Sequence, residues 1–128
     1  VCTMATFNEA PHQIVMLVDD DENIREMMSE ILMTRGFVVL QAGNGQEAMK
    51  ILTTTERLPS VVLLDMSMPT MDGPTFLRVR AGDPILKEIP VLVVSGSPPP
   101  KAATPEIEGF LRKPVEIFQL IQAIGQYQ

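Results

Sequence analysis

Apolar residues along this chain fall into two rhythms. The continuous apolar run Gln13–Val18 reads as a strand buried on both faces, Phe37–Ala42 as a second strand, Ser60–Asp65 as a third apolar run, Val91–Ser95 as a fourth strand and Gly109–Arg112 as a shorter fifth. Between the first two runs, Ile24, Met27, Met28, Ile31 and Leu32 recur at the spacing of an amphipathic helix, with Gly36 placed to cap its end. Gly43–Gly45 turns into a helix over Gln46–Thr53. The turn-rich MSMPTMDGP (66–74) precedes a helix reaching about Arg80, with Pro74 suited to its first position. A closing helix over Val115–Tyr127 carries Ile117, Leu120, Ile121 and Ile124 on one side.

Strands alternating with amphipathic helices predict an α/β fold: a doubly wound, five-stranded parallel sheet of flavodoxin-like type, covered on both faces. All strands of such a sheet end at one edge, and ligands bind there, where the strand order reverses. One region interrupts the alternation. GSPPPKAATPEIE (96–108) places Pro98, Pro99 and Pro100 in succession, which no helix interior accepts. It is either a short helix starting near Thr104 with Pro105 at its first position, or a plain surface loop.

Composition narrows the class. At 128 residues, 45% hydrophobic and 20% charged, the chain suits a single globular domain. A net charge of −6 argues against a nucleic-acid-binding surface. One cysteine and one histidine exclude an internal disulfide and a Cys/His zinc site, and point to a reducing, cytoplasmic setting. No apolar run approaches the roughly 18 residues of a membrane span, and the start lacks a signal-peptide pattern. Residues 1–12, beginning with Val, are expected to be a tail or a remnant of a longer protein ahead of a domain over 13–128.

The chemistry collects at the strand ends. Asp19 and Asp20 follow the first strand, Asp65 ends the third, Ser95 ends the fourth and Lys113 follows the fifth, so the parallel arrangement gathers them on one edge. Clustered carboxylates repel one another unless a cation compensates. Mg²⁺ fits, because it binds through a few carboxylates and keeps positions for water and a phosphoryl oxygen. A lysine and a hydroxyl beside it would neutralise and hydrogen-bond a phosphoryl group, the requirements of phosphoryl transfer. Asp21 reads as the N-cap of the following helix rather than a ligand, with Glu22 favouring the helix dipole.

VDDDE (18–22), LLDMSMPTMDG (63–73), VVSG (93–96) and FLRKP (110–114), in this order, resemble the receiver domain of bacterial two-component response regulators, over about residues 13–127. The resemblance implies that Asp65 is the phosphoacceptor, taking a phosphoryl group from a partner's phosphohistidine. It implies Mg²⁺ held by Asp20 directly, by Asp19 largely through water, by Asp65 and by the backbone carbonyl of Ser67. Lys113 would pair with the phosphoryl group. Ser95 would be the switch hydroxyl and Phe110 the aromatic switch residue. The implied partners are a sensor histidine kinase or a histidine phosphotransfer domain, and an output domain or protein. Such a module catalyses only its own phosphorylation and dephosphorylation.

Two departures matter. The proline-rich segment before Lys113 is shorter than usual in the family, so a short or missing fourth helix is expected, and the family's dimer through that face is not carried over. Ser67 and Ser97 stand where the family tunes phosphoryl lifetime. A phosphorylation-independent docking module is the alternative function. A metal-dependent phosphohydrolase is disfavoured, because Ser67 occupies the place of its general acid.

Overall fold

A computed structural model of the chain describes residues 13–65, 73–95, 109–112 and 116–126. Five strands form one parallel sheet: β1 (Ile14–Val18), β2 (Val38–Ala42), β3 (Val61–Asp65), β4 (Val91–Ser95) and β5 (Gly109–Arg112), in the order β2-β1-β3-β4-β5. Among the described residues, four α-helices accompany them: α1 (Glu22–Thr34), α2 (Gly45–Thr54), α3 (Gly73–Ala81) and α4 (Ile117–Gly125). The doubly wound parallel sheet is therefore the one expected from the alternation. The segment expected to hold a short or missing fourth helix, 96–108, lies outside the described residues.

Period-two alternation along the strands divides the core in two. Met16, Val18, Val62, Leu64, Val91 and Val93 meet Ala48 and Leu52 of α2 and Phe76 and Leu77 of α3. The alternate residues Val15, Leu17, Val61, Leu63, Leu92, Val94 and Leu111 meet Leu32 of α1 and Leu120 and Ile124 of α4. Each fully buried aliphatic side chain contributes about 1.5–3 kcal/mol from removal from water. β1 and β3 are buried along their whole lengths, as their continuous apolar runs require.

Local signals set the element ends. The Asp21 carboxylate accepts the Ile24 N–H at 3.1 Å and caps α1. Gly36 adopts φ +92, the Gly36 N–H reaches the Met33 carbonyl at 3.0 Å, and the Phe37 N–H reaches that of Leu32 at 3.1 Å. This paired arrangement is a Schellman motif, and it turns the chain into β2. The Asn44 side chain accepts the Glu47 N–H at 2.8 Å and caps α2, while the Glu47 carboxylate reaches back to accept the N–H of Gly43, the residue before the cap, at 2.8 Å.

Three details depart from the sequence expectation. The α1 stripe is only partly covered: Leu32 is buried, Met28 and Ile31 are half-buried, and Ile24 and Met27 remain 40% and 55% exposed. Ser29 is buried in that face instead, its hydroxyl accepting from Gln41 Nε2 at 3.2 Å. β2 is half exposed despite its apolar run, because it is the edge strand. A 3₁₀ turn at Leu86–Glu88, absent from the periodic reading, leads into β4 and is secured by Arg80, whose buried guanidinium donates to the carbonyls of Lys87 at 2.9 Å and Ile89 at 2.7 Å.

Candidate functional site

β1 and β3 lie side by side, yet the chain leaves β1 towards β2 and leaves β3 towards β4, on opposite sides. Between them is the switch in strand order, where a crevice opens beyond the carboxyl ends. Val18 pairs with Leu64, so the next residues, Asp19 and Asp65, stand beside each other at the edge. Asp20 follows where the chain leaves the strand. One carboxylate oxygen from each of Asp19, Asp20 and Asp65 lies within 4.8 Å of the other two. Asp65 is 7% exposed, Asp19 is half-buried and Asp20 is open to solvent, so the cluster runs from the sheet edge out to water. Leu17, Leu63 and Val94 line the apolar side of the pocket that Asp19, Asp65 and Arg25 also line.

The loop carrying these acids is tied down at several points. The Asp19 N–H donates to the Ala42 carbonyl at 3.1 Å, and its carbonyl accepts from Arg25 Nη1 at 2.7 Å. The Asp21 N–H donates to Asp19 Oδ1 at 2.9 Å. Asp21 spends its own carboxylate on the helix cap and stands apart from the cluster, as its reading as an N-cap requires.

Three hard oxygen donors with room for water are the donor set of a magnesium-type cation. Oxygens sharing one Mg²⁺ lie roughly 3–4 Å apart, since each sits about 2.1 Å from the ion. A spread of up to 4.8 Å is slightly wider and fits a site in which water stands between the ion and one of the acids.

Of the other residues expected at this edge, Ser67 and Lys113 lie outside the described residues. Ser95 and Phe110 are described by backbone only. Asp65 pairs with Val94, so Ser95 ends β4 one step beyond, in register with Arg112, while Phe110 pairs with Val93. No sequence pattern marks Arg25 or Gln41 as part of this edge. A lone arginine in a helical first turn and a glutamine on an edge strand look like solvated positions; only the fold brings Arg25 to the Asp19 carbonyl and Gln41 to Arg25.

Comparison with known proteins agrees with this geometry. The family model for the response regulator receiver domain matches residues 15–125. Sensor kinase CckA of Brucella abortus is 33% identical over 114 residues, covering 88% of this chain and 12% of that protein. Sporulation initiation phosphotransferase F of Bacillus subtilis is 39% identical over 64 residues, half of each chain. The chain thus spans a small part of the sensor kinase and half of the phosphotransferase. Among solved structures, chemotaxis protein CheY4 of Vibrio cholerae superimposes with a TM-score of 0.81 at 27% identity, covering 92% of this chain and 100% of that one. The receiver domain of a signal transduction histidine kinase from Syntrophus aciditrophicus gives 0.79 at 27% identity, covering 90% and 89%.

Proposed function

The chain belongs to the response regulator receiver domain family of two-component signalling, and on that premise we propose that Asp65 accepts a phosphoryl group from a phosphohistidine donor with a bound Mg²⁺. The observation that carries this reading is the convergence of Asp19, Asp20 and Asp65 within 4.8 Å at the switch point of the sheet. A carboxylate oxygen of Asp65 bonds to phosphorus as the donor's P–N bond breaks, and the electron pair of that bond stays on the imidazole. Asp65 is suited to this because its rigid strand holds it in place while Asp20 leaves the mouth open. The cation, when bound, offsets the charge of the carboxylates and of the incoming phosphoryl oxygens.

The remaining roles are part of the same reading. Asp20 ligates the cation directly and Asp19 largely through water, with Asp65 and the Ser67 carbonyl completing the protein ligands. Lys113 neutralises the phosphoryl group, and Ser95 and Phe110 report its presence as the switch pair. The donor is a sensor histidine kinase or a histidine phosphotransfer domain, and an output domain or protein reads the result. The receiver spans 13–128 and works in the cytoplasm, where its phosphohistidine donor acts.

Acetyl phosphate with Mg²⁺, followed by intact mass measurement, tests the proposal. One phosphoryl adduct on the native chain, lost with EDTA and lost in Asp65→Asn, is the expected result. An unmodified native chain under all conditions would leave the docking-module reading in its place.

A further inference from the structure

We propose that Arg25 is a positioning residue for the cation site, holding the Asp19 peptide so that the Asp19 and Asp20 carboxylates face Asp65. The inference rests on reading those three acids as a cation site. Asp19 is the first residue beyond β1, and among the described residues the sheet supplies a partner for its N–H alone, at the Ala42 carbonyl. Its carbonyl would have to find another donor. Arg25 Nη1 supplies it at 2.7 Å, the short distance of a charge-assisted bond.

The same guanidinium donates through Nε to Gln41 Oε1 at 3.2 Å, and Gln41 Nε2 donates to the buried Ser29 hydroxyl at 3.2 Å. Arg25 therefore bridges the acidic loop to the edge strand β2, with α1 behind it. Its own N–H reaches the Asp21 carbonyl at 2.9 Å, which fixes it one helical turn beyond the loop it holds. Both ends of the Asp19 peptide are tied, and the Asp19 carboxylate is turned by the Asp21 N–H. A displacement of this loop would move two of the three acids together.

The neighbourhood leaves room for this clamp. Gly43 borders the clamp: a Cβ there would stand 3.4 Å from Arg25 Nη1 and 3.4 Å from Glu47 Oε1, at ordinary contact distance. Arg25 also lines the pocket shared by Asp19 and Asp65, where its permanent positive charge opposes a bound cation, so what it gives the site is position and not charge. The forked geometry is essential, because a lysine ammonium at the end of a flexible stem has no planar fork to span the Asp19 carbonyl and the Gln41 amide together.

Arg25→Met, Arg25→Lys and Gln41→Leu test the idea, each compared with the native chain by Mg²⁺ calorimetry, thermal unfolding, and amide exchange at residues 19–21 in EDTA. Groups that orient metal ligands typically change affinity by about 10–100-fold when removed. Arg25→Met is expected to bind Mg²⁺ about tenfold more weakly, with faster exchange at Asp20 and Asp21. Arg25→Lys and Gln41→Leu should fall between it and the native chain, and they carry the test should Arg25→Met fail to fold. Acetyl phosphate labelling of the variants should return to the native rate once Mg²⁺ is saturating, which a general structural defect would not allow. Unchanged Mg²⁺ affinity and exchange, with only a lower melting temperature, would overturn the proposal and leave Arg25 as a staple between α1 and β2. A native chain that binds no Mg²⁺ would instead remove the cation site itself, and this inference with it.

Discussion

Replacing Asp20 by Asn separates the electrostatics of the cluster from its packing. Asp20 is exposed, and among the described residues its carboxylate takes part in no hydrogen bond, so the change removes charge and little else. Its oxygen lies within 4.8 Å of one oxygen each of Asp19 and Asp65, so two of the three repulsive pairs disappear. At that distance each pair costs about 0.9 kcal/mol in bulk water and about 3.5 kcal/mol at an effective dielectric of about 20. Asp20 faces solvent, so the water value governs, and physiological salt roughly halves it again. The expected relief is about 1 kcal/mol for the two pairs together. For a chain of this size that raises the melting temperature by about 3–5 °C in EDTA. Mg²⁺ should reverse the order, because the native chain gains about 2.7 kcal/mol at a free concentration of about 100 times its dissociation constant. Thermal unfolding by circular dichroism in EDTA and in Mg²⁺, at low and moderate salt, reads the crossing. A variant less stable than the native chain in EDTA, or a difference that ignores salt, would refute the reasoning.

Other perturbations probe the frame around the site. Gly36→Ala should cost about 1–2 kcal/mol in urea unfolding, because φ +92 strains an L side chain although no atom lies within 4 Å of the added Cβ; Gly36→Asn should cost less. Leu32→Ala should cost about 2–5 kcal/mol, since Leu32 is fully buried between α1 and the sheet, and the loss should appear as a lower urea midpoint at unchanged slope. Arg80→Met should cost about 1–3 kcal/mol in the same assay by stranding the Lys87 and Ile89 carbonyls, with Mg²⁺ affinity unchanged.

Legibility followed the physics of each element. β1 and β3 could be read directly, because a strand buried on both faces must be apolar throughout, and the acids ending them marked the edge where a parallel sheet gathers its chemistry. β2 carries a similar run but lies at the edge, a fact set by strand order rather than by composition. The α1 periodicity identified the helix but not its full buried face, which packs Leu32 into the core and also takes in Ser29, whose hydrogen bond with Gln41 no hydropathy pattern encodes. Arg80 and Arg25 were hidden for the same reason: an arginine in a helix reads as solvated, while here one secures the entry to β4 and the other holds the Asp19 carbonyl. The cap at Asp21 was legible because capping is local, three residues from donor to acceptor.

Asp65 is the residue proposed to receive the phosphoryl group. Borohydride reduction of acetyl phosphate-treated protein, followed by tandem mass spectrometry, locates an acyl phosphate on a single carboxylate. The result predicted is reduction at Asp65 alone, dependent on Mg²⁺ and absent in EDTA. Reduction at Asp19 or Asp20, or equal labelling with and without the cation, would contradict it.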